Sequence, residues 1–422
     1  YMSLRRLMQA SKRQADLFQT DNYLAALHRI EQWAYDTDDG SLATLPVAPP
    51  AQVWEKVQSD STNCLGRRCP TYDKCFYQNA RKRMERADLL VVNHALFFSD
   101  LALRAEGTQL LPDYDHVILD EAHMVEDVAA DHFGLRVTEA QVNFFVSNLF
   151  SSRTSKGFLA SLGQRMEYQR INQCIDLLEA FAASAQRFFD NLARYHENNS
   201  GGNGRLREPN FVENPMTEPA RELLIGLNRL KSGCKDEADK AEVNSYMARL
   251  DSLASTIDAL INQTQDDSVY WLEVGQSGRN RRITLACSPI DVAPLLKTRL
   301  FEGKNGRGEP LGVVLTSATL ATKQKPQRSQ GTPQPDDEKS RRERAFAHIK
   351  SRLGCEDAVT LQLGSPFDYE QQAQVHLHPN MPEPASAEFF QRMPEMLLRH
   401  IDATDGGAFV LFTSYTALRQ MA

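Results

Sequence analysis

"HVILDEAHMVEDV", residues 116 to 128, sets Val117, Ile118 and Leu119 directly before Asp120, Glu121 and His123. A short aliphatic run without polar alternation reads as a strand buried on both faces of a parallel sheet. Chemistry in such sheets collects just beyond the carboxyl ends of the strands. Asp120 there can hold Mg²⁺ through water, and Glu121 can orient and deprotonate a water attacking a phosphoryl group. His123 is placed to sense the nucleotide and relay its state. An Asp-Glu pair by itself is commonly a solvated surface loop, so the strand context carries the reading.

Three further runs have the same form: "LLVV" (89–92), "VVL" (313–315) and "AFVLF" (408–412), followed by "NHAL", "TSATL" and "TSY". All four predict strands of a parallel sheet with polar tails at the site edge. Much of the span between His123 and Ser317 reads as helical. "TEAQ" (138–141) is a capping box with Val142, Phe145, Val146 and Leu149 on one face. Val243, Met247, Leu250, Ala254, Ile257 and Ile261 step by four and three along a helical seam. "HENNSGGNGRLREPN" (196–210) predicts a mobile loop, and "TKQKPQRSQGTPQPDDEKSRRER" (322–344) has the composition of a linker.

At 422 residues the chain exceeds the size of a single core, so two or three domains are expected. Hydrophobic residues make up 41% and charged residues 24%, an ordinary globular composition, and no apolar run is long enough to span a membrane. A net charge of −7 excludes a uniformly basic nucleic-acid binder but leaves room for a local basic groove. Seven cysteines with a single cluster do not form a secreted disulfide framework, so a reducing cytoplasm is expected. The first residue is Tyr1 and the last stretch, "SYTALRQMA", reads as a helix cut short, so the chain reads as a fragment of a longer protein.

The cluster is Cys64, Cys69 and Cys75, spaced C-x4-C-x5-C, unlike the C-x2-C pairs of most zinc modules. Arg67, Arg68, Arg81, Lys82, Arg83 and Arg86 surround it, with Tyr72, Phe76 and Tyr77 interleaved. Cations along a phosphate track with aromatic faces for bases suit single-stranded nucleic acid, although such a charged stretch can equally be a solvated face. Cys174, Cys234, Cys287 and Cys355 read as structural. Asn93 and His94 follow a strand-like run and are candidates for contact with nucleotide or DNA; a satisfied, buried His94 is an equal alternative.

"VILDEAH" followed by "VVLTSATL" resembles two motifs of superfamily-2 helicases, the Mg²⁺-binding DEAH box and the segment that couples hydrolysis to movement, here Ser317, Ala318 and Thr319. The cysteines followed by "VVNHALF" (91–97), with "GSPFDY" (364–369), "PNMPEP" (379–384) and "VLFTSYTALR" (410–419), resemble the iron–sulfur helicases related to XPD, and within them the bacterial DinG group. The resemblance implies an α/β fold: a RecA-like parallel-sheet motor domain carrying iron–sulfur and helical arch insertions, plus the start of a second RecA-like domain. It implies motor segments at 1–20, 87–136 (DEAH) and 267–321 (SAT), an iron–sulfur domain at 21–86 and an arch at 137–266. A linker at 322–345 and the second motor domain at 346–422 complete the expected order.

The same resemblance implies ATP, Mg²⁺ and a [4Fe-4S] cluster. It implies a monomer acting 5′→3′ on single-stranded and forked DNA, including RNA–DNA hybrids, with the cysteine-rich segment as a wedge at the fork. Thr413, Ser414 and Tyr415 resemble the second motor domain's phosphate-contacting motif. One departure stands out: where the group takes a fourth cysteine, this chain has Ser3, a harder and poorer ligand. Iron with an unusual fourth ligand, a labile cluster and loss of metal all remain open. No Gly-rich phosphate loop ending in Lys-Ser/Thr occurs, and "EGKNGRG" (302–308) reads as a turn. By the resemblance that loop precedes Tyr1, the arginine-finger motif follows Ala422, and the fragment alone is inactive. Two rival readings are a non-catalytic DNA-binding module and a helicase–exonuclease fusion.

Overall fold

The computed structural model describes residues 1–421 apart from 19, 106, 164, 200–202, 278–279, 323–337 and 385. Most of the expected linker therefore lies outside the described residues. Among the described residues six strands make two sheets. β1 (His116–Leu119) and β6 (Gly312–Leu315) pair in parallel, His116 opposite Gly312 and Leu119 opposite Leu315. β2 (Leu135–Thr138), β5 (Asn280–Pro289), β4 (Ser268–Ser277) and β3 (Arg205–Leu206) form an antiparallel sheet in that order. The architecture is mixed α/β, as a RecA-like helicase core requires.

β1 is buried on one face only, where the sequence predicts burial on both. Val117 and Leu119 sink into a core with Phe98, Leu101, Ala122, Val125 and Leu296. Strand alternation sends Ile118 to the opposite face, where it is 66% exposed, beside Val314 at 53%. The runs at 89–92 and 408–412 form no ladder: Leu89, Val91, Phe409 and Leu411 are exposed. An isolated extended run gains nothing without a neighbouring strand to pair its backbone groups.

Tyr1–Thr360 and Leu361–Ala422 are two separate units. The first holds three apolar cores. One, around Met2, Leu27, Ile30, Val53, Trp54 and Val57, supports the cysteine segment. The second is the β1/β6 core. The third joins the Tyr168–Asn198, Thr217–Gly233 and Glu237–Asn262 helices. Its seam is as the sequence predicts, with Val243, Leu250, Ile257 and Ile261 buried. The capping box forms too, since the Gln141 N–H donates to Thr138 Oγ1 at 3.1 Å and the Thr138 N–H donates to Gln141 Oε1 at 2.9 Å.

Two expected boundaries move. Tyr270, Leu272, Ile283 and Leu285 on the β4–β5 hairpin pack into the helical core, so a division at 266/267 cuts through one apolar cluster. The Glu338–Leu353 helix belongs to the first unit, with Leu353 fully buried in the β1/β6 core and Arg352 paired with Glu126, so a second domain cannot start at 346. Within the stretch 196–210 expected to be a mobile loop, Asn198 is still helical and Arg205–Leu206 is β3, while 200–202 lie outside the described residues.

In the second unit, Ser386 caps the Ala387–Ala403 helix by accepting from the Phe389 N–H at 3.2 Å. The Tyr415–Met421 helix follows.

Candidate functional site

The parallel pairing of β1 with β6 continues past both strand ends and fastens two turns together. Thr316 N–H donates to Leu119 O, and Ala122 N–H donates to Thr316 O, both at 2.9 Å. To make the second bond the chain must turn sharply at Glu121, which takes the left-handed conformation (φ 49°, ψ 44°). For a residue with a Cβ this costs on the order of 1 kcal/mol. Buried Ala122 anchors the turn from below.

The side chains meet above it. Thr316 Oγ1 donates to Asp120 Oδ1 at 3.1 Å, and Ser317 Oγ donates to Glu121 Oε2 at 3.4 Å. His123 Nδ1 lies 3.0 Å from Ser317 Oγ and 3.2 Å from Glu121 Oε2. Thr319 N–H donates to Ser317 Oγ at 3.2 Å, while Ala318 is exposed between them. Glu121, His123 and Ser317 thus form one hydrogen-bonded group and Asp120 with Thr316 a second beside it, each joining turns nearly two hundred residues apart. Thr316 is the member missed from sequence. It stands in the quoted "TSATL", and the register of β6 would have pointed it at the acidic turn. Both carboxylates are exposed and keep acceptor positions open, which suits a hydrated divalent cation.

The cysteine spacing has a local cause. Three single-turn 3₁₀ helices, Ser61–Asn63, Gly66–Arg68 and Tyr72–Lys74, follow one another, and each ends on a cysteine. Cys64, Cys69 and Cys75 share nearly the same extended backbone (φ/ψ −74°/125°, −71°/128° and −74°/115°). This repeat turns the three residues toward one small cavity, which Ser3, Arg5, Asn63 and Tyr72 also line. Among the described residues no three His, Cys, Asp or Glu converge closely enough for a single metal ion. An iron–sulfur cubane instead takes one thiolate per iron, so its ligands surround the group rather than converge on a point. Three thiols and Ser3 around one cavity fit that donor set in all but the fourth corner.

The predicted basic residues divide. Lys82 Nζ lies 4.8 Å from the centre of the Tyr72 ring, and Arg81 donates to Tyr77 Oη at 3.3 Å, so these cations are packed on aromatic faces beside the pocket. Arg67, Arg68 and Arg83 are exposed, Arg68 reaching Glu237 at 3.7 Å. Asn93 is engaged locally, its Oδ1 accepting from the Leu96 N–H at 2.9 Å at the start of the His94–Ala105 helix. His94 is half-buried with its ring edge toward Phe98. In the second unit Ser414 Oγ accepts from the Ala417 N–H at 3.1 Å, and Thr413 and Tyr415 are exposed.

The pocket is fastened to the helical insertion by buried charges, a feature composition does not announce. Arg6 donates to Glu242 twice, Nε to Oε1 at 2.8 Å and Nη2 to Oε2 at 3.0 Å. Asn63, next to Cys64, donates to the same carboxylate at 3.2 Å, and Arg5 donates to Asn63 O at 2.9 Å. Lys56 Nζ donates to Tyr246 Oη at 2.8 Å and to Asn148 O at 3.1 Å. Burial pushes the Lys56 ammonium down to about 8 despite the neighbouring Glu55. Of the remaining cysteines, Cys174, Cys234 and Cys287 are buried and Cys355 is half-buried; desolvation lifts the Cys174 thiol to about 12.

No family model matches the chain. Among curated proteins it is 30% identical to the ATP-dependent DNA helicase YoaA of Escherichia coli, over 100% of this chain and 59% of that protein. It is 24% identical to the 3′-5′ exonuclease DinG of Bacillus subtilis, over 95% of the chain and 44% of the relative. To the ATP-dependent DNA helicase DinG of Photobacterium profundum it is 24% identical, over 91% and 54%. The chain thus spans about half the length of these relatives. Similarity that runs along almost all of its residues makes the chain alike to the DinG and YoaA helicases, and the joined acidic and Ser-Ala-Thr turns lie within that shared stretch.

Proposed function

We propose that the protein to which this chain belongs is an ATP-dependent DNA helicase that moves 5′→3′ on single strands and opens forked duplexes, including RNA–DNA hybrids, as a monomer in the cytoplasm. The supporting observation is that side chains of the two turns pair twice, Thr316 with Asp120, and Ser317 with Glu121 and His123. Bound with nucleotide, Mg²⁺ would neutralise phosphate charge, held through water by Asp120. Glu121 orients the attacking water and takes its proton. His123 bridges Glu121 to Ser317, so a change at the carboxylate is felt at the Ser317–Thr319 turn. Thr316 keeps Asp120 in one orientation.

The uncovered apolar face at Ile118 and Val314 suits a further packed layer, and the edges of the two-stranded β1–β6 sheet suit further strands, one of which would carry the phosphate loop. In this reading Cys64, Cys69 and Cys75 hold a [4Fe-4S] cluster, and Arg67, Arg68, Arg81, Lys82, Arg83, Tyr72 and Tyr77 guide one strand past it. Asn93, His94, Thr413, Ser414 and Tyr415 are further candidates for strand contact. No helix among the described residues is long and apolar enough to cross a membrane.

The test uses the full-length protein. Glu121→Gln should lower ATP turnover by at least about 100-fold while leaving nucleotide binding in place. Ser317→Ala should keep hydrolysis and lose strand displacement. Unchanged turnover in the Glu121 variant would remove the basis of the proposal.

A further inference from the structure

Ser3 lines the cavity of the three cysteines, and its own hydrogen bonds show how it is held there. Its N–H donates to Val57 O at 2.7 Å, fixing the backbone. Its Oγ accepts from the Arg6 N–H at 3.4 Å and caps the Leu4–Lys12 helix. A hydroxyl used as a helix cap stays protonated and neutral, and neutral oxygen is a poor donor to the soft irons of a sulfide core. Arg5, two residues on, lines the same cavity while donating to Asn63 O and Gln9 Oε1. No other cysteine lines the cavity, and Cys174, Cys234 and Cys287 are buried in the helical core.

We infer that Ser3 leaves the fourth corner of the cluster open, so the site binds three irons firmly through Cys64, Cys69 and Cys75 and exchanges the fourth with solution. This rests on the proposal that these cysteines hold a cluster. The three-iron and four-iron forms interconvert simply: a four-iron core of charge 2+ loses one Fe²⁺ and gives one electron to an added oxidant such as ferricyanide, leaving a three-iron core of charge 1+. The four sulfides and three thiolates stay. The cluster's composition would then follow iron supply and oxidation.

The experiment is anaerobic reconstitution of the chain with iron and sulfide, followed by mild chelation and ferricyanide. Iron and sulfide are counted, and electron paramagnetic resonance reads the spin-half three-iron form. The expected result is three irons per four sulfides in the native chain, refilled by added Fe²⁺ under reducing conditions, and a retained fourth iron in Ser3→Cys. Ser3→Ala should match the native stoichiometry, because the hydroxyl caps a helix rather than binding iron. Four irons held by the native chain as firmly as by Ser3→Cys would overturn the inference, as would faster loss of the fourth iron in Ser3→Ala. Failure of both the native and Ser3→Cys chains to assemble any cluster would instead overturn the cluster reading itself.

Discussion

Replacing Glu242 by Leu strands two guanidinium groups. Arg6 loses both charge-assisted bonds to the carboxylate, and Arg5, 3.8 Å from Oε1, loses its nearest acid. Arg6 is 5% and Glu242 8% exposed, so water cannot take over as partner. Removing one member of a buried pair costs about 3–5 kcal/mol. The Arg6→Met change costs a similar amount, since Glu55 O and Gln58 O also lose a donor at 2.6 Å. Once both charges are gone the Coulomb penalty vanishes, so the double variant should fall short of the sum of the singles by at least about 2 kcal/mol.

Urea titration followed by Trp54, which sits in the core beneath the cysteine segment, reads the local loss. Three cores in one unit need not unfold together, so amide exchange in the Leu4–Lys12 and Glu237–Asn262 helices locates it. Both helices should exchange faster in Glu242→Leu. A loss under about 1 kcal/mol, or strictly additive singles, would refute the clasp as the tie between the pocket and the Glu237–Asn262 helix.

Lys56, about 8 when folded against 10.5 ordinarily, is protonated in the unfolded chain when the folded chain has released its proton, so its contribution to stability rises between pH 8 and 10.5. That window is worth about 3 kcal/mol, and the difference between pH–stability curves of the native chain and Lys56→Met should show the rise in the native chain alone. Glu121→Gly should stabilise the fold by about 1 kcal/mol in thermal unfolding by relieving the left-handed turn, even as it removes the carboxylate; a loss of stability would show the turn is unstrained. Asp100 is fully buried and accepts from Leu110 N–H at 2.7 Å, Leu111 N–H at 2.8 Å and Arg104 Nε at 2.6 Å, so Asp100→Ala should cost about 3 kcal/mol in urea titration and loosen the approach to β1.

The amphipathic helices were plain in the sequence because their periodicity is local: the seam through Val243, Leu250 and Ile257 needs only one partner face to be buried. β1 and β6 were legible as aliphatic runs, and the polar residues after them marked the site edge. The runs at 89–92 and 408–412 had the same appearance and made no ladder, because a strand exists only through its neighbours. Domain limits at 266/267 and 345/346 failed for the same kind of reason, since composition changes at surface loops and an apolar core does not respect them.

Sequence by itself singled out the candidate residues: the acids after an aliphatic run, the hydroxyls of the Ser-Ala-Thr turn, and three spaced cysteines, with Ser3 where the resemblance implies a fourth. Only the tertiary structure decided that Thr316 joins Asp120, that Glu121 sits in a left-handed turn, and that Glu242 grips the pocket from the far side of the chain. Residue type and spacing are written in the chain. Contacts between distant segments depend on strand register and on which buried charges find partners, and those are settled only when the whole fold closes.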